Sequence, residues 1–260
     1  MQFMLLALDI GNTMVTIGVF GDSGLVSTMR AATDSRRSTD EYGLLLTSLL
    51  QLNGVQREEI TEVSMCSVVP PLTGVFEEVA SSYFGVRPLT VTGAIRTGLQ
   101  IAYDNPRDVG ADRIADAVAA KSLYGYPTII VDFGTATVFD AISAEGVYLG
   151  GAIAPGISVA AEALFLNTSQ LRRIELTPPT SAIGQNTTAA LQAGLVLGYA
   201  ELVKGLVGRI TGELGGAATV VATGGLANII SRETGIFDHI NPNLTLIGLQ
   251  QIFELNKNPD

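Results

Sequence analysis

Cysteine and histidine are almost absent from this chain, which has one of each, Cys66 and His239, in 260 residues. A single cysteine excludes an intramolecular disulfide and a multi-cysteine zinc site, and a single histidine excludes a histidine metal cluster. A serine–histidine–aspartate triad has only His239 to use. That residue stands in Asp238-His239-Ile240-Asn241-Pro242, a loop-like stretch with no nucleophile motif beside it, and is assigned a surface or packing role. Charge is scarce as well, at 15% of residues against about 25% in an average protein. Basic residues are the scarcer sign: 15 Lys and Arg face 25 Asp and Glu, for a net charge of −10. Such a surface repels a polyanionic backbone, so no nucleic-acid partner is expected. Apolar runs long enough to cross a bilayer are missing too. Gly146 to Ala161 is uncharged but short and broken by Gly150, Gly151, Pro155 and Gly156, and Ala189 to Gly208 carries Glu201 and Lys204. No basic residue precedes the short N-terminal apolar run, which Asp9 interrupts, so a signal peptide is not expected. Together these absences predict a cytoplasmic protein with no membrane partner.

What is present is apolar: 47% hydrophobic residues and 29 glycines, more than enough to drive folding. With nucleophile motifs and metal clusters excluded, chemistry has to come from carboxylates, backbone amides and bound cations. Along the chain, Phe3–Leu8, Val15–Phe20 and Leu25–Arg30 read as a three-strand meander. Ser38-Thr39-Asp40-Glu41 has the form of a capping box, opening a helix with Tyr42, Leu45, Leu46, Leu49 and Leu52 at helical spacing. A strand at Glu62–Val69, a helix from Pro70 to about Phe84, a strand at Val86–Val91 and a helix from Val109 to Tyr124 follow. The order then repeats: Thr128–Val131, Val138–Ser143 and Val147–Ala152 form a second meander, followed by helices at Ser158–Leu166 and Thr187–Leu214, a strand at Ala218–Ala222, a short helix at Leu226–Ser231 and a closing helix within Leu244–Leu255. Two similar halves predict a duplicated α/β architecture, divided into residues 1–117 and 118–260, with a cleft between the halves.

Residues repeat as well as elements. Leu8-Asp9-Ile10-Gly11 and Val131-Asp132-Phe133-Gly134 occupy the same place, the end of a first strand and the turn into the second. Asp9-Ile10-Gly11-Asn12-Thr13 offers a carboxylate for Mg²⁺ through water, a glycine for close backbone approach, and amide and hydroxyl donors for phosphate. An ordinary β-turn uses the same residue types; the second copy, Asp132-Phe133-Gly134-Thr135-Ala136-Thr137, favours phosphate binding. Asp132 follows the apolar run Ile129-Ile130-Val131, and a carboxylate there calls for a partner such as a cation, or for a satisfied place in a turn. Thr223-Gly224-Gly225-Leu226, between a strand and a helix, would let backbone approach a flat ligand such as adenine, or simply connect the two. Gly110-Ala111-Asp112-Arg113 opens a helix, where Asp112 meets the positive end of the dipole; a helix-terminal acid of the commonest kind is the alternative.

Asp9-Ile10-Gly11-Asn12-Thr13, Asp104-Asn105-Pro106 leading into Gly110-Ala111-Asp112-Arg113, Asp132-Phe133-Gly134-Thr135-Ala136-Thr137 and Gly184-Gln185-Asn186-Thr187 together resemble the type III pantothenate kinases, in that family's order and at about its spacing. The resemblance runs from the first strand to the C-terminal helix. It implies two tandem ribonuclease-H-like domains of the actin-like ATPase fold with the active-site cleft between them. It also implies ATP-dependent phosphorylation of pantothenate to 4′-phosphopantothenate, the first step of coenzyme A synthesis, by a homodimer that needs Mg²⁺ with ATP and a monovalent cation, K⁺ or NH₄⁺.

Carried over position by position, the resemblance makes Asp9, Ile10, Gly11, Asn12, Thr13, Met14, Val15 and Thr16 the first ATP phosphate loop, with Asp9 holding Mg²⁺ through water. Thr135 becomes an ATP contact from the second loop and Asp132 the monovalent-cation ligand. Tyr103, Gly110, Ala111, Asp112, Arg113 and Thr187 match pantothenate contacts, with Asp112 the catalytic base. Val138 stands where many members carry a second threonine, and Gln185 where many carry lysine. The alternatives are a sugar or acetate kinase of the same superfamily, an ATP-switched filament or chaperone, and a catalytically weak ATP-binding regulatory protein. The Leu191, Leu195, Leu202 and Leu206 stripe is the expected dimer surface.

Overall fold

The computed structural model describes residues 4–93 and 95–257. Among the described residues eleven strands form two sheets. The first contains β1 (Leu5–Ile10), β2 (Met14–Gly21), β3 (Gly24–Ala32), β4 (Glu62–Ser67) and β5 (Leu89–Thr90), in the order β3-β2-β1-β4-β5. The second contains β6 (Gln100–Ile101), β7 (Thr128–Phe133), β8 (Ala136–Ile142), β9 (Val147–Pro155), β10 (Thr219–Thr223) and β11 (His239–Ile240), in the order β11-β10-β7-β8-β9-β6. Apart from β6 on the β9 edge, the two sheets have one topology. In each, the first three strands form an antiparallel meander and the last two lie parallel to the first. The duplication expected from the sequence is therefore real, in a two-domain actin-like ATPase fold.

The helices are α1 (Thr39–Leu52), α2 (Pro70–Phe84), α3 (Ala111–Tyr124), α4 (Ile157–Leu166), α5 (Thr187–Gln192), α6 (Gly198–Glu213), α7 (Ala227–Thr234) and α8 (Leu244–Lys257). The capping box forms: Ser38 Oγ accepts from the Glu41 amide and Glu41 Oε2 from the Ser38 amide at 2.9 Å. Tyr42, Leu46 and Leu50 face the core, while Leu52, expected on that face, is 82% exposed because the 3.6-residue period carries it off the stripe. A π-helical turn at Ala193–Leu197 joins α5 to α6, so Thr187–Glu213 is one 27-residue helix. It is long and apolar enough to cross a membrane by length and composition, which corrects the expectation that no segment is. Its Leu195, Val196, Val203 and Val207 are nonetheless buried against strands and helices of the second sheet's core.

Smaller departures concern edges. The expected Val86–Val91 strand shortens to β5, β6 was not foreseen, and His239 lies in β11 rather than a loop, its ring stacked on Tyr124 at 4.4 Å. Phe3, the expected start of the first strand, lies outside the described residues.

The chain divides into two compact units that a single cut between residues 117 and 118 does not describe. One takes the chain up to Gly98, Asn105–Ala119 and the segment from Thr245 onward; the other takes Leu99–Asp104 and Ala120–Leu244. In the first, Leu6, Leu8 and Ile10 of β1 pack with Tyr42, Leu46, Phe76 and Val79 of α1 and α2. The strand period of two turns Leu5, Ala7 and Asp9 to the opposite face. There Gly18 lies against Leu246, Ser64 Oγ donates to the Leu249 carbonyl at 3.1 Å, and Gly248 meets the backbone of Ala115. Thus α3 and α8 cover the face that carries Asp9. In the second unit Ile129, Val131 and Phe133 join Phe139, Leu195, Val203 and Ile230 in a separate core.

Candidate active site

Asp9 is the last residue but one of β1, with Thr16 as its antiparallel and Cys66 as its parallel neighbour. The Cys66 thiol donates to Asp9 Oδ1 at 3.4 Å. Burial and the nearby Asp112 carboxylate push the Asp9 pKa up to about 7, against which the thiol contact acts weakly. The turn that follows is tied down by backbone: the Gly11 amide donates to the Met14 carbonyl at 3.0 Å, and the Gly11 carbonyl accepts from Thr33 Oγ1 at 2.7 Å. Asn12, Thr13 and Met14 are exposed, Thr16 is half-buried, and Ile10 and Val15 are buried core residues that can offer a ligand only their backbone.

Asp112 stands on the first turn of α3, and the local sequence explains how it is held. Its Oδ1 accepts from the Arg113 amide at 2.8 Å, and a Cβ on Gly110 would lie 2.5 Å from that same oxygen. Glycine at 110 is what lets the carboxylate fold back over its own helix end. Burial raises its pKa, with the Arg113 amide and guanidinium opposing. One helical turn on, Asp116 is buried and accepts from Thr245 Oγ1 of α8 at 2.7 Å. Cys66 feels all three carboxylates, which with burial push its thiol well above the ordinary range and leave it a donor, not a nucleophile. Asp116 was legible as the residue one turn beyond Asp112. Cys66 was not, because only the parallel register of β4 brings it to Asp9.

The second unit repeats the strand-end turn. Asp132 is the fifth residue of β7 as Asp9 is of β1, and the Gly134 amide donates to the Ala136 carbonyl at 3.0 Å as Gly11 does to Met14. Its surroundings differ. A Cβ on Gly224, whose φ is +87°, would lie 2.4 Å from Asp132 Oδ1, and one on Gly156 would lie 2.3 Å from the Thr135 carbonyl oxygen. Bare backbone therefore closes on this turn from two sides, and Thr135 itself is exposed. Tyr103 follows β6 and rests its ring against Gly150 of β9. Thr187 is the first residue of α5, which Asn186 caps by accepting from the Ala189 amide at 2.9 Å. A Cβ on Gly184 would meet the Ala190 amide at 2.2 Å, so Gly184-Gln185-Asn186 wraps tightly round this helix start and helps line a surface cavity of about 510 Å³.

The family model described as type III pantothenate kinase matches residues 5–209. The chain belongs to that family. Type III pantothenate kinases of Moorella thermoacetica and Dehalococcoides mccartyi (strain CBDB1) are 48% and 51% identical to it, each over 97% of this chain and over 100% and 96% of their own lengths. A solved structure from Campylobacter jejuni, described as a Baf family transcriptional activator, superposes with a TM-score of 0.62 over 98% of this chain and 100% of that one. At 20% identity that likeness shows the fold alone. Of the residues expected at the site, Asp9, Asp112 and Arg113 lie in the first unit and Asp132, Thr135, Tyr103 and Thr187 in the second.

Proposed function

We propose that this chain transfers the γ-phosphoryl group of ATP to the primary hydroxyl of pantothenate, giving 4′-phosphopantothenate and opening coenzyme A synthesis. The observation that carries the reading is the Asp112 carboxylate, folded over a bare Gly110 on the same sheet face as Asp9 and close enough for its charge to raise the Asp9 pKa. Phosphoryl transfer passes through a loose transition state, so the attacking hydroxyl needs a carboxylate that orients it and accepts its proton late. Asp112 does this, and burial, by raising its pKa, makes it a better proton acceptor. Arg113 pairs with the pantothenate carboxylate, Tyr103 and Thr187 contact the substrate, and Gly110 and Ala111 offer backbone. The exposed Asn12, Thr13 and Met14, the Gly11 backbone, Thr16 and Thr135 contact ATP phosphates.

Among the described residues no three His, Cys, Asp or Glu side chains group to hold a metal. Mg²⁺ keeps several waters and takes its remaining ligands from phosphate and one or two carboxylates. Asp9 supplies that carboxylate through water. Bound there, the ion neutralises charge on the transferring phosphate. Asp132 supplies the carboxylate oxygen for the monovalent cation, K⁺ or NH₄⁺, in a turn that also carries the Gly134 and Thr135 carbonyls. Leu195, Leu202 and Leu206 face their own core, wholly or in part, so the dimer surface moves from that stripe to exposed Ile153, Val159, Leu164 and Leu166 on β9 and α4. We place the enzyme in the cytoplasm as a homodimer without nucleic-acid or membrane partners.

A sugar or acetate kinase would share the two turns but has no use for Tyr103 with Gly110-Ala111-Asp112-Arg113, and a weak regulatory protein would not need a held base. The test is incubation with ATP, Mg²⁺, K⁺ and pantothenate, read by mass. Formation of 4′-phosphopantothenate supports the reading, and ATP turnover with a sugar but not with pantothenate overturns it.

A further inference from the structure

The meander of each unit carries a β-bulge at the same place. In the first, the β2–β3 register shifts between Val19 and Phe20; in the second, the β8–β9 register shifts between Ala141 and Ile142. Aligning the copies through Ile10↔Val15 and Phe133↔Thr137 sets Ser27 of β3 against Gly150 of β9, the residue just past the extra one. Among the described residues no non-glycine has positive φ, so Ser27 builds its bulge with ordinary backbone, whereas Gly150 adopts φ +95°. The bulge therefore does not explain the glycine.

At Ser27 the side chain itself stands there and donates to Asn53 Oδ1 at 3.2 Å, whereas at Gly150 a neighbouring residue takes that space. A Cβ at 150 would lie 2.7 Å from Cε2 and 3.0 Å from Cδ2 of Tyr103, so the ring edge occupies the space a side chain would fill. The rest of the surroundings hold that ring in place. β6 runs parallel to β9, with Ile101 opposite Tyr148, and the Ala102 amide donates to the Tyr148 carbonyl at 2.8 Å. The Tyr148 ring is buried and lies tilted 47° to Tyr103 with centroids 6.5 Å apart. Its hydroxyl donates to Oδ1 of the buried Asp140 at 2.6 Å, which fixes the ring's depth.

We propose that Gly150 and Tyr148 are positioning residues for pantothenate: bare backbone and an anchored ring form a seat that sets where Tyr103 presents itself to the substrate. This rests on Tyr103 being a substrate contact. Bulges are over-represented next to active sites; here the bare backbone just past one leaves room for a ring from the segment that follows β6. The seat acts on affinity for the alcohol and not on the phosphoryl-transfer step.

The experiment is a double-mutant cycle of Gly150→Ala and Tyr103→Ala read by steady-state kinetics. Gly150→Ala should raise KM for pantothenate about tenfold, with kcat and KM for ATP changing less than about threefold. In the Tyr103→Ala background it should add nothing, because the residue it displaces is gone. If Gly150→Ala raises KM equally in both backgrounds, or leaves it unchanged while Tyr103→Ala raises it, the seat is wrong and the substrate role of Tyr103 stands. If Tyr103→Ala leaves KM for pantothenate unchanged, the underlying assignment of Tyr103 fails and the seat with it. Should Gly150→Ala not fold, Tyr148→Phe, which frees the ring from Asp140 without backbone strain, takes its place in the same cycle with the same outcomes.

Discussion

Asp9 and Asp132 occupy one position in a duplicated sheet, yet their surroundings have diverged. Both are the fifth residue of a six-residue strand, and both precede a glycine whose amide closes the turn at 3.0 Å. Asp9 has a thiol beside it and Asp112 near it; Asp132 has Thr223 as the residue matching Cys66 and the bare backbone of Gly224 against its oxygen. Duplication supplied two strand-end carboxylates, and the elements packed on each gave them different surroundings. The first is crowded by another acid and held near neutrality in its titration. The second is closed in by the bare backbone of Gly224.

The largest effect is expected from removing the acid that only the first copy has. Asp112→Asn should lower kcat with pantothenate by at least about a hundredfold, the low end for general-base catalysis, while nucleotide titration shows ATP affinity nearly unchanged. It should also lower the Asp9 pKa, since the Asp112 charge is one of its causes. Turnover within about threefold of wild type would return Asp112 to an ordinary helix-end acid.

Next in size is the contrast between the two turns themselves. Asp9→Asn should weaken MgATP use, raising KM for MgATP by about tenfold or more, with K⁺ dependence retained. Asp132→Ala should lower activity by a similar factor and flatten its dependence on K⁺ or NH₄⁺. Kinetics across Mg²⁺ and K⁺ concentrations separates them, and identical responses from the two variants would erase the distinction drawn between the copies.

The same Asp9→Asn change should raise stability. A carboxylic acid whose folded pKa is raised from 3.8 to about 7 favours folding in its neutral form. That benefit is whole below the unfolded value and is lost as pH rises toward the folded one. Replacing Asp9 by a permanently neutral amide should therefore give an advantage that grows between pH 4 and 7 and is constant above. Allowing for its partial exposure, it should plateau at about 1–2 kcal/mol, measured by urea unfolding without nucleotide. An advantage independent of pH would mean that Asp9 is not titrating as described.

The smallest effect tests the turns' second strands. Val15 and Thr137 are register equivalents and both are buried, but the Thr137 hydroxyl has no hydrogen-bond partner. Thr137→Val should stabilise the protein by about 1 kcal/mol, a rise in Tm of about 2–4 °C. Destabilisation would show that the hydroxyl has a use its counterpart lacks.

The sequence by itself determined the repeating order of strands and helices, because strand and helix periods and caps such as Ser38 with Glu41 are local. It also determined the glycine-flanked acids at Asp9, Asp112 and Asp132, since each lies at an element end that turn and cap residues announce. Only the tertiary structure decided what surrounds them. Cys66 reaches Asp9 through parallel strand pairing, Asp116 reaches Thr245 across 129 residues, and Tyr103 rests on Gly150 through a two-residue strand too short to show a period. Contacts between residues far apart in the chain leave no trace in local spacing. It was likewise packing that took α8 into the first unit, where Gly248 lets its backbone meet Ala115, although the chain places that helix at the end of the second half.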